Sequence, residues 1–192
     1  MKQTFLFSLF SILGFYADAQ KYIVTPNGLV NADDTTKRYV VIYIDSLSAK
    51  ELYKRSYKFI GQTWKNPEIA KDGKKEGEYL YVRIFAKNAL TAKGSFGIKF
   101  NLDLRYSLHL NFKDDKIKYE IVDLEMNDIS PYSEDTPFYI KSNSALSRSI
   151  FDKDGTLIEK QKSVKKQLEN YFNNQITELK DQLIAASSKV DF

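Results

Sequence analysis

Between positions 96 and 112 the chain alternates without a break. Every even position is apolar or aromatic (Phe96, Ile98, Phe100, Leu102, Leu104, Tyr106, Leu108, Leu110, Phe112). Every odd one is small or polar (Gly97, Lys99, Asn101, Asp103, Arg105, Ser107, His109, Asn111). Successive side chains of a strand point to opposite faces, so a period of two predicts a half-buried antiparallel strand, or two strands sharing a register across a bend. Asp114-Asp115 then sits between Lys113 and Lys116 as a two-residue hairpin turn. That turn sets Phe112 opposite Ile117, Leu110 opposite Tyr119 and Leu108 opposite Ile121, all apolar on one face. After Ile121 the apolar positions shift to Val122, Leu124 and Met126, which predicts a bulge.

The remaining elements follow from shorter signals. Positions 39–44 (YVVIYI) form a continuous β-branched and aromatic run, hence a strand with neighbours on both sides. Ser48-Ala49-Lys50-Glu51 is a capping box opening a helix with Leu52, Phe59, Ile60 and Thr63 or Trp64 on one face, and Asn66-Pro67 ends it. Positions 71–77 read as a polar turn, and 79–86 as a strand with Leu80, Val82, Ile84 and Ala86 on one side. Positions 127–158, rich in Ser, Pro, Asp and Asn, read as a loop-rich excursion, with a short helical turn at Leu146 and Ile150. Val164, Leu168, Phe172, Ile176, Leu179 and Leu183 stripe a long helix over 159–186. That stripe departs from a strict heptad, which favours docking on the sheet over a free coiled coil. The order predicts an α+β domain: an antiparallel sheet of about four to five strands with two helices on one face.

The first residues carry a different signal. Lys2 is followed by an uncharged apolar run and then by Ala17-Asp18-Ala19, small residues at the two positions a signal peptidase reads. The run is too short to span a bilayer and apolar all round, unlike an amphipathic first helix. The reading is a signal peptide at 1–19 cleaved before Gln20, a leader or linker at 20–36 and a single domain at 37–187, exported to the periplasm or secreted. With no Cys in the chain, the domain must hold together by its core. Its 28% charged residues are of both signs and the net charge is +4. No block of like charge is dense enough to track phosphates, so nucleic acid is not an expected partner. No transmembrane segment is expected in the mature chain.

The strand at Val40 to Ile44, the helix SAKELYKRSYKFI from Ser48 to Ile60, Trp64 and the hairpin LHLNFKDDKIKYEIVDL from Leu108 to Leu124 carry a resemblance. The chain resembles the family of domain of unknown function 4468, exported bacterial proteins assigned a TATA-binding-protein-like fold. The family usually shows Asp-Gly at the hairpin turn, where this chain has Asp114-Asp115. The resemblance implies a fold and brings no activity, cofactor or catalytic residue. A fold shared with DNA-binding proteins is not evidence of DNA binding.

The search for chemistry finds little. His109 is the one histidine and falls on the polar side of the long strand beside Ser107, Asp103 and Arg105. Neither a nucleophile elbow nor a thiol accompanies it. Asp152-Lys153-Asp154-Gly155 imitates part of a calcium loop, but Ile150 and Gln161 occupy the two anchoring ends, which leaves a plain turn. Asp123, Glu125 and Asp128 read as loop charges. No cofactor, metal or catalytic residue is expected. What remains is aromatic: with even positions turned to the helices, Tyr39, Tyr43, Tyr79, Tyr81, Arg83 and Phe85 share the other sheet face. These six are the candidate binding residues, for a protein or a small-molecule or glycan ligand. Cross-strand aromatic pairing, with the leader or the excursion as a lid, is the competing reading of the same rings. The expected function is a non-enzymatic binding or interaction module; the alternative is a hydrolase of envelope or extracellular glycans or peptides.

Overall fold

The computed structural model describes residues 20–64, 67–94, 97–128, 136–144 and 147–185. The signal peptide expected at 1–19 lies outside them. The elements run β1 (Tyr22–Thr25), β2 (Gly28–Asn31), β3 (Tyr39–Tyr43), α1 (Ala49–Thr63), β4 (Glu68–Lys75), β5 (Tyr79–Lys93), β6 (Lys99–Lys113), β7 (Lys116–Asp128), β8 (Thr136–Lys141), β9 (Arg148–Phe151) and α2 (Lys162–Ala185), with a 3-10 turn at Glu159–Gln161. Seven strands form one sheet in the order β4-β5-β6-β7-β8-β9, and β3 pairs with β7 beside β8. All pairings are antiparallel except β8 with β9.

The long alternation becomes β6, and each even residue from Phe100 to Phe112 is buried. The hairpin register holds as expected, with Phe112 opposite Ile117, Leu110 opposite Tyr119 and Leu108 opposite Ile121. Asp115 at φ 63 takes the left-handed conformation that Gly would adopt freely and Asp tolerates. The turn is tied to the start of α1, since Asp114 Oδ1 accepts from the Ala49 amide at 2.8 Å and the Asp115 amide donates to the Leu47 carbonyl at 2.9 Å. The register then shifts between Arg105 and Ser107, with Asp123 at φ 52, which is the bulge expected after Ile121.

Ser48 caps α1, its hydroxyl accepting from the Glu51 amide at 3.3 Å. The Glu51 carboxylate takes Arg55 Nε at 2.9 Å, one turn on, instead of the reciprocal arm of a capping box. Both helices lie on the even face of the sheet. Tyr53 of α1 meets Phe112 edge-on at 5.6 Å, and Phe172 of α2 meets Tyr106 at 5.1 Å. The six stripe residues of α2 are all buried, so α2 is docked. Between α2 and the sheet, Tyr106 and Tyr119 both donate to Gln175 Oε1, at 3.2 and 3.1 Å. Burial pushes all of these phenols upward, together with Tyr22.

Four expectations are corrected. Residues 20–36 are not a loose leader: β1 and β2 pair as a hairpin turning at Pro26-Asn27, and Tyr22 and Val24 join the core. Asn173 of α2 grips Tyr22 like a neighbouring strand, accepting from its amide at 2.8 Å and donating to its carbonyl at 3.0 Å. The polar turn begins later than 71, because β4 is an edge strand paired with β5 across a register shift; polar, Lys-rich composition suits an unpaired edge. The excursion contributes β8 and β9 and carries Ile150 in a strand rather than a helical turn, while Leu146 lies outside the described residues. Asp103, counted among the solvated row of β6, is buried and accepts from the Asn88 amide at 2.7 Å, where β5 bulges at φ 51. The sheet is therefore larger than four or five strands, while the α+β class and the placement of both helices stand.

Candidate functional site

The face turned away from the helices is built by cross-strand rows. One row runs Tyr81, His109, Glu120, Tyr39 across β5, β6, β7 and β3. On one side of it Arg83 lies opposite Ser107, and Phe85 opposite Arg105, which itself faces Glu125. On the other side Tyr79 lies opposite Asn111, and Val41 opposite Lys118. On the β4 side, Glu68 is the ladder partner of Arg83.

The sequence parity therefore places the four β5 candidates together, with Tyr39 on the same face three strands away. Tyr79 and Tyr81 stack at 4.9 Å, and Tyr81 stacks in turn on His109 at 4.2 Å. The Tyr81 hydroxyl donates to Asn111 Oδ1 at 3.2 Å. Phe85 is 46% exposed and carries the Arg105 guanidinium over its ring at 5.1 Å. Tyr39 lies under the Lys118 ammonium at 4.5 Å, and Lys118 pairs with Glu120 at 2.6 Å. Tyr43 stands apart, 47% exposed at the end of β3 opposite Lys116. Cross-strand aromatic pairing is thus real here. The lid of the competing reading is not formed by 20–36, because that hairpin packs on α2 at the opposite face, with Tyr22 donating to the Tyr119 carbonyl at 2.8 Å.

Two adjoining grooves open on this face. One, of about 570 Å³, is lined by Glu68, Tyr81, Arg83, Ser107 and His109 among others. The second, of about 450 Å³, shares Glu68, Arg83 and Ser107 and continues to Phe85, Arg105, Asp123 and Glu125. Burial lowers the basicity of His109, against the opposing pull of the Glu120 and Asp123 carboxylates. Sequence reasoning set His109 aside as part of a solvated row. Its parity with Tyr81 across the β5–β6 pairing was the signal that could have included it. Glu68 was hidden because β4 was read as a turn.

The acidic residues weighed as catalytic candidates part company. Asp123 and Glu125 are exposed at the second groove, whereas Asp128 is 1% exposed and held by Arg148 at 2.5 Å. Asp152 closes a tight turn, its Oδ1 accepting from the amides of Asp154 at 2.9 Å and Thr156 at 2.8 Å. Among the described residues no group of three or more acidic or His side chains converges as a metal site, and no helix is long and apolar enough to cross a membrane.

Two solved structures are similar to this chain: a TBP-like protein from Parabacteroides distasonis and a DUF4468 family protein from Bacteroides ovatus. The first is 14% identical, over 74% of this chain and 88% of that one, at a TM-score of 0.49. The second is 12% identical, over 77% of this chain and 85% of that one, also at 0.49. No curated protein matches. A family model, described as a domain of unknown function (DUF4468) with TBP-like fold, matches residues 39–127, from the start of β3 to the penultimate residue of β7. Over those residues the chain is similar to the DUF4468 family, and its α+β sheet with two helices on one face agrees with the TBP-like fold in that family's description.

Proposed function

We propose that this is an exported interaction module that binds its ligand on the helix-free face of the sheet, without catalysis. One observation carries the reading: Tyr81, His109, Arg83 and Phe85 sit on adjacent cross-strand rows of that face and line its two grooves, with Tyr79 stacked on Tyr81 beside them. Rigid rings supply contact area at low entropic cost, and a guanidinium among them adds directional donors. Export is supported by the Lys2 end, the apolar run and the Ala17/Ala19 pair. Cleavage before Gln20 would also spare a residue the fold uses, since Gln20 Oε1 accepts from the Val41 amide and from Asn31 Nδ2, both at 2.9 Å.

Amide chemical-shift mapping tests the binding face. Isotope-labelled protein beginning at Gln20 is titrated with a soluble extract of the cell envelope. The expected result is movement concentrated at the amides of residues 79–85 and 105–109. Shifts that spare this face and fall on the outer sides of α1 and α2 would overturn the reading.

A further inference from the structure

The polar side chains around the two grooves are unusual in their company. Glu68 faces Arg83, and Glu125 faces Arg105, as direct ladder partners. Opposite charges so placed ordinarily close into cross-strand pairs. Opposite charges elsewhere on the molecule do close, as in Lys75–Glu78 at the β4–β5 turn at 2.7 Å and Lys118–Glu120 along β7 at 2.6 Å. In the grooves they do not. Among the described residues, Glu68, Arg83, Ser107, Asp123 and Glu125 make no side-chain hydrogen bond or ion pair, and Arg105 only overlies Phe85.

The charge pattern then selects the ligand. Three carboxylates (Glu68, Asp123, Glu125) disfavour an anion, and two guanidinium groups (Arg83, Arg105) disfavour a cation. A neutral ligand that both donates and accepts at closely spaced atoms satisfies both sets at once. Carboxylates only accept and guanidinium groups only donate, while Ser107 and His109 can do either. A sugar offers this in its vicinal hydroxyls, and its C–H faces suit the rings of Tyr81 and Phe85. An extended peptide is served less well, because peptides gain affinity by pairing with a free strand edge, whereas the backbone of β5 and β6 beneath the grooves is already paired in the ladder. The volumes, about 570 and 450 Å³, fall within the ordinary range of small-ligand sites.

We infer that the paired grooves around Arg83 bind a neutral saccharide, held by the Glu68, Arg83, Arg105 and Asp123 side chains against the Tyr81 and Phe85 rings. This inference rests on the open-face reading and names its ligand class.

The probe is a panel of neutral hexose oligosaccharides with α and β linkages, three to six units long, followed by amide shift mapping and calorimetry on the chain beginning at Gln20. At least one member should move the amides of 81–85 and 105–109. Its affinity should fall at least about tenfold in Arg83→Ala and in Glu68→Gln, because each removes a charge-assisted hydrogen bond. Tyr57→Ala, on the exposed side of α1, should bind as the parent does. Unchanged thermal unfolding of the two groove variants separates lost binding from lost fold. Silence across the neutral panel overturns the saccharide assignment. If a peptide or a polyanion such as heparin instead moves the same amides, the open-face reading survives and only the ligand class is wrong. Binding that maps to the helices defeats both.

Discussion

Truncating Phe172 to alanine would remove the ring on which α2 docks. That ring has no exposed surface and meets Tyr106 and Tyr171 edge-on, each at 5.1 Å. A buried Phe→Ala change costs about 3–5 kcal/mol through lost transfer energy and the cavity left behind. The two edge-to-face contacts put this site in the middle of the range or above, since each such pair adds about 0.5–1.5 kcal/mol beyond area. The working figure is about 4 kcal/mol, a large part of the roughly 5–15 kcal/mol that holds a typical domain together. Urea unfolding followed by circular dichroism measures it directly. With a urea dependence of about 2 kcal/mol per molar, the midpoint should fall by roughly 2 M at unchanged slope. Phe172→Leu keeps most of the volume, should cost under about 1.5 kcal/mol, and guards against a variant too unstable to study. A loss below about 0.5 kcal/mol for Phe172→Ala would mean that α2 does not pack on the sheet, and the layer description would fall with it.

Three further outcomes follow from specific contacts. Arg148→Ala removes the guanidinium ion-paired with the buried Asp128 carboxylate, so chemical denaturation should show a loss of about 1–3 kcal/mol; a loss within about 0.5 kcal/mol would mean that the pair does not hold β9 to the sheet. Tyr22, Tyr106 and Tyr119 have folded-state pKa values raised by burial above the ordinary value near 10. Their contribution is complete below that pH and is lost above it, where only the unfolded chain ionises. Unfolding free energy should thus fall from about pH 10 upward, by up to about 1.4 kcal/mol per unit for each phenol, and Tyr106→Phe should flatten the slope; stability level to pH 12 would contradict the buried network. Protein recovered from the exporting cell should have the intact mass of a chain beginning at Gln20, and a chain still carrying Met1 would defeat the export proposal.

How much was legible in the sequence depended on the length of each pattern. The nine even apolar positions from Phe96 to Phe112 and the Asp114-Asp115 turn dictate a register that any slip would bury polar side chains to break, and the pairing of β6 with β7 follows them. Ser48 and the α2 stripe were equally plain. The hairpin β1–β2 carries little sequence signal because each strand has only four residues and Pro26-Asn27 at its turn reads equally as loop punctuation. β4 was hidden by its lysines, since an edge strand needs no apolar alternation. The site was half visible for the same reason. Parity on β3 and β5 located Tyr39, Tyr79, Tyr81, Arg83 and Phe85, but Glu68 enters only through β4, Ser107 and His109 through the β5–β6 pairing, and Asp123 and Glu125 only once the pairing across the bulge at Asp123 is known.

The central claim is that the aromatic face is a working surface rather than core. The unfolding free energy of Tyr81→Ala tests it most directly. The ring is half-buried, stacked on Tyr79 and His109 and hydrogen-bonded to Asn111. Cross-strand contacts of that kind contribute about 1 kcal/mol, well short of a buried ring. The account predicts a loss of about 1 kcal/mol, with ligand-induced shifts across residues 79–85 abolished. A loss of about 3 kcal/mol or more would show that other chain covers the ring, and the face would then be part of the core.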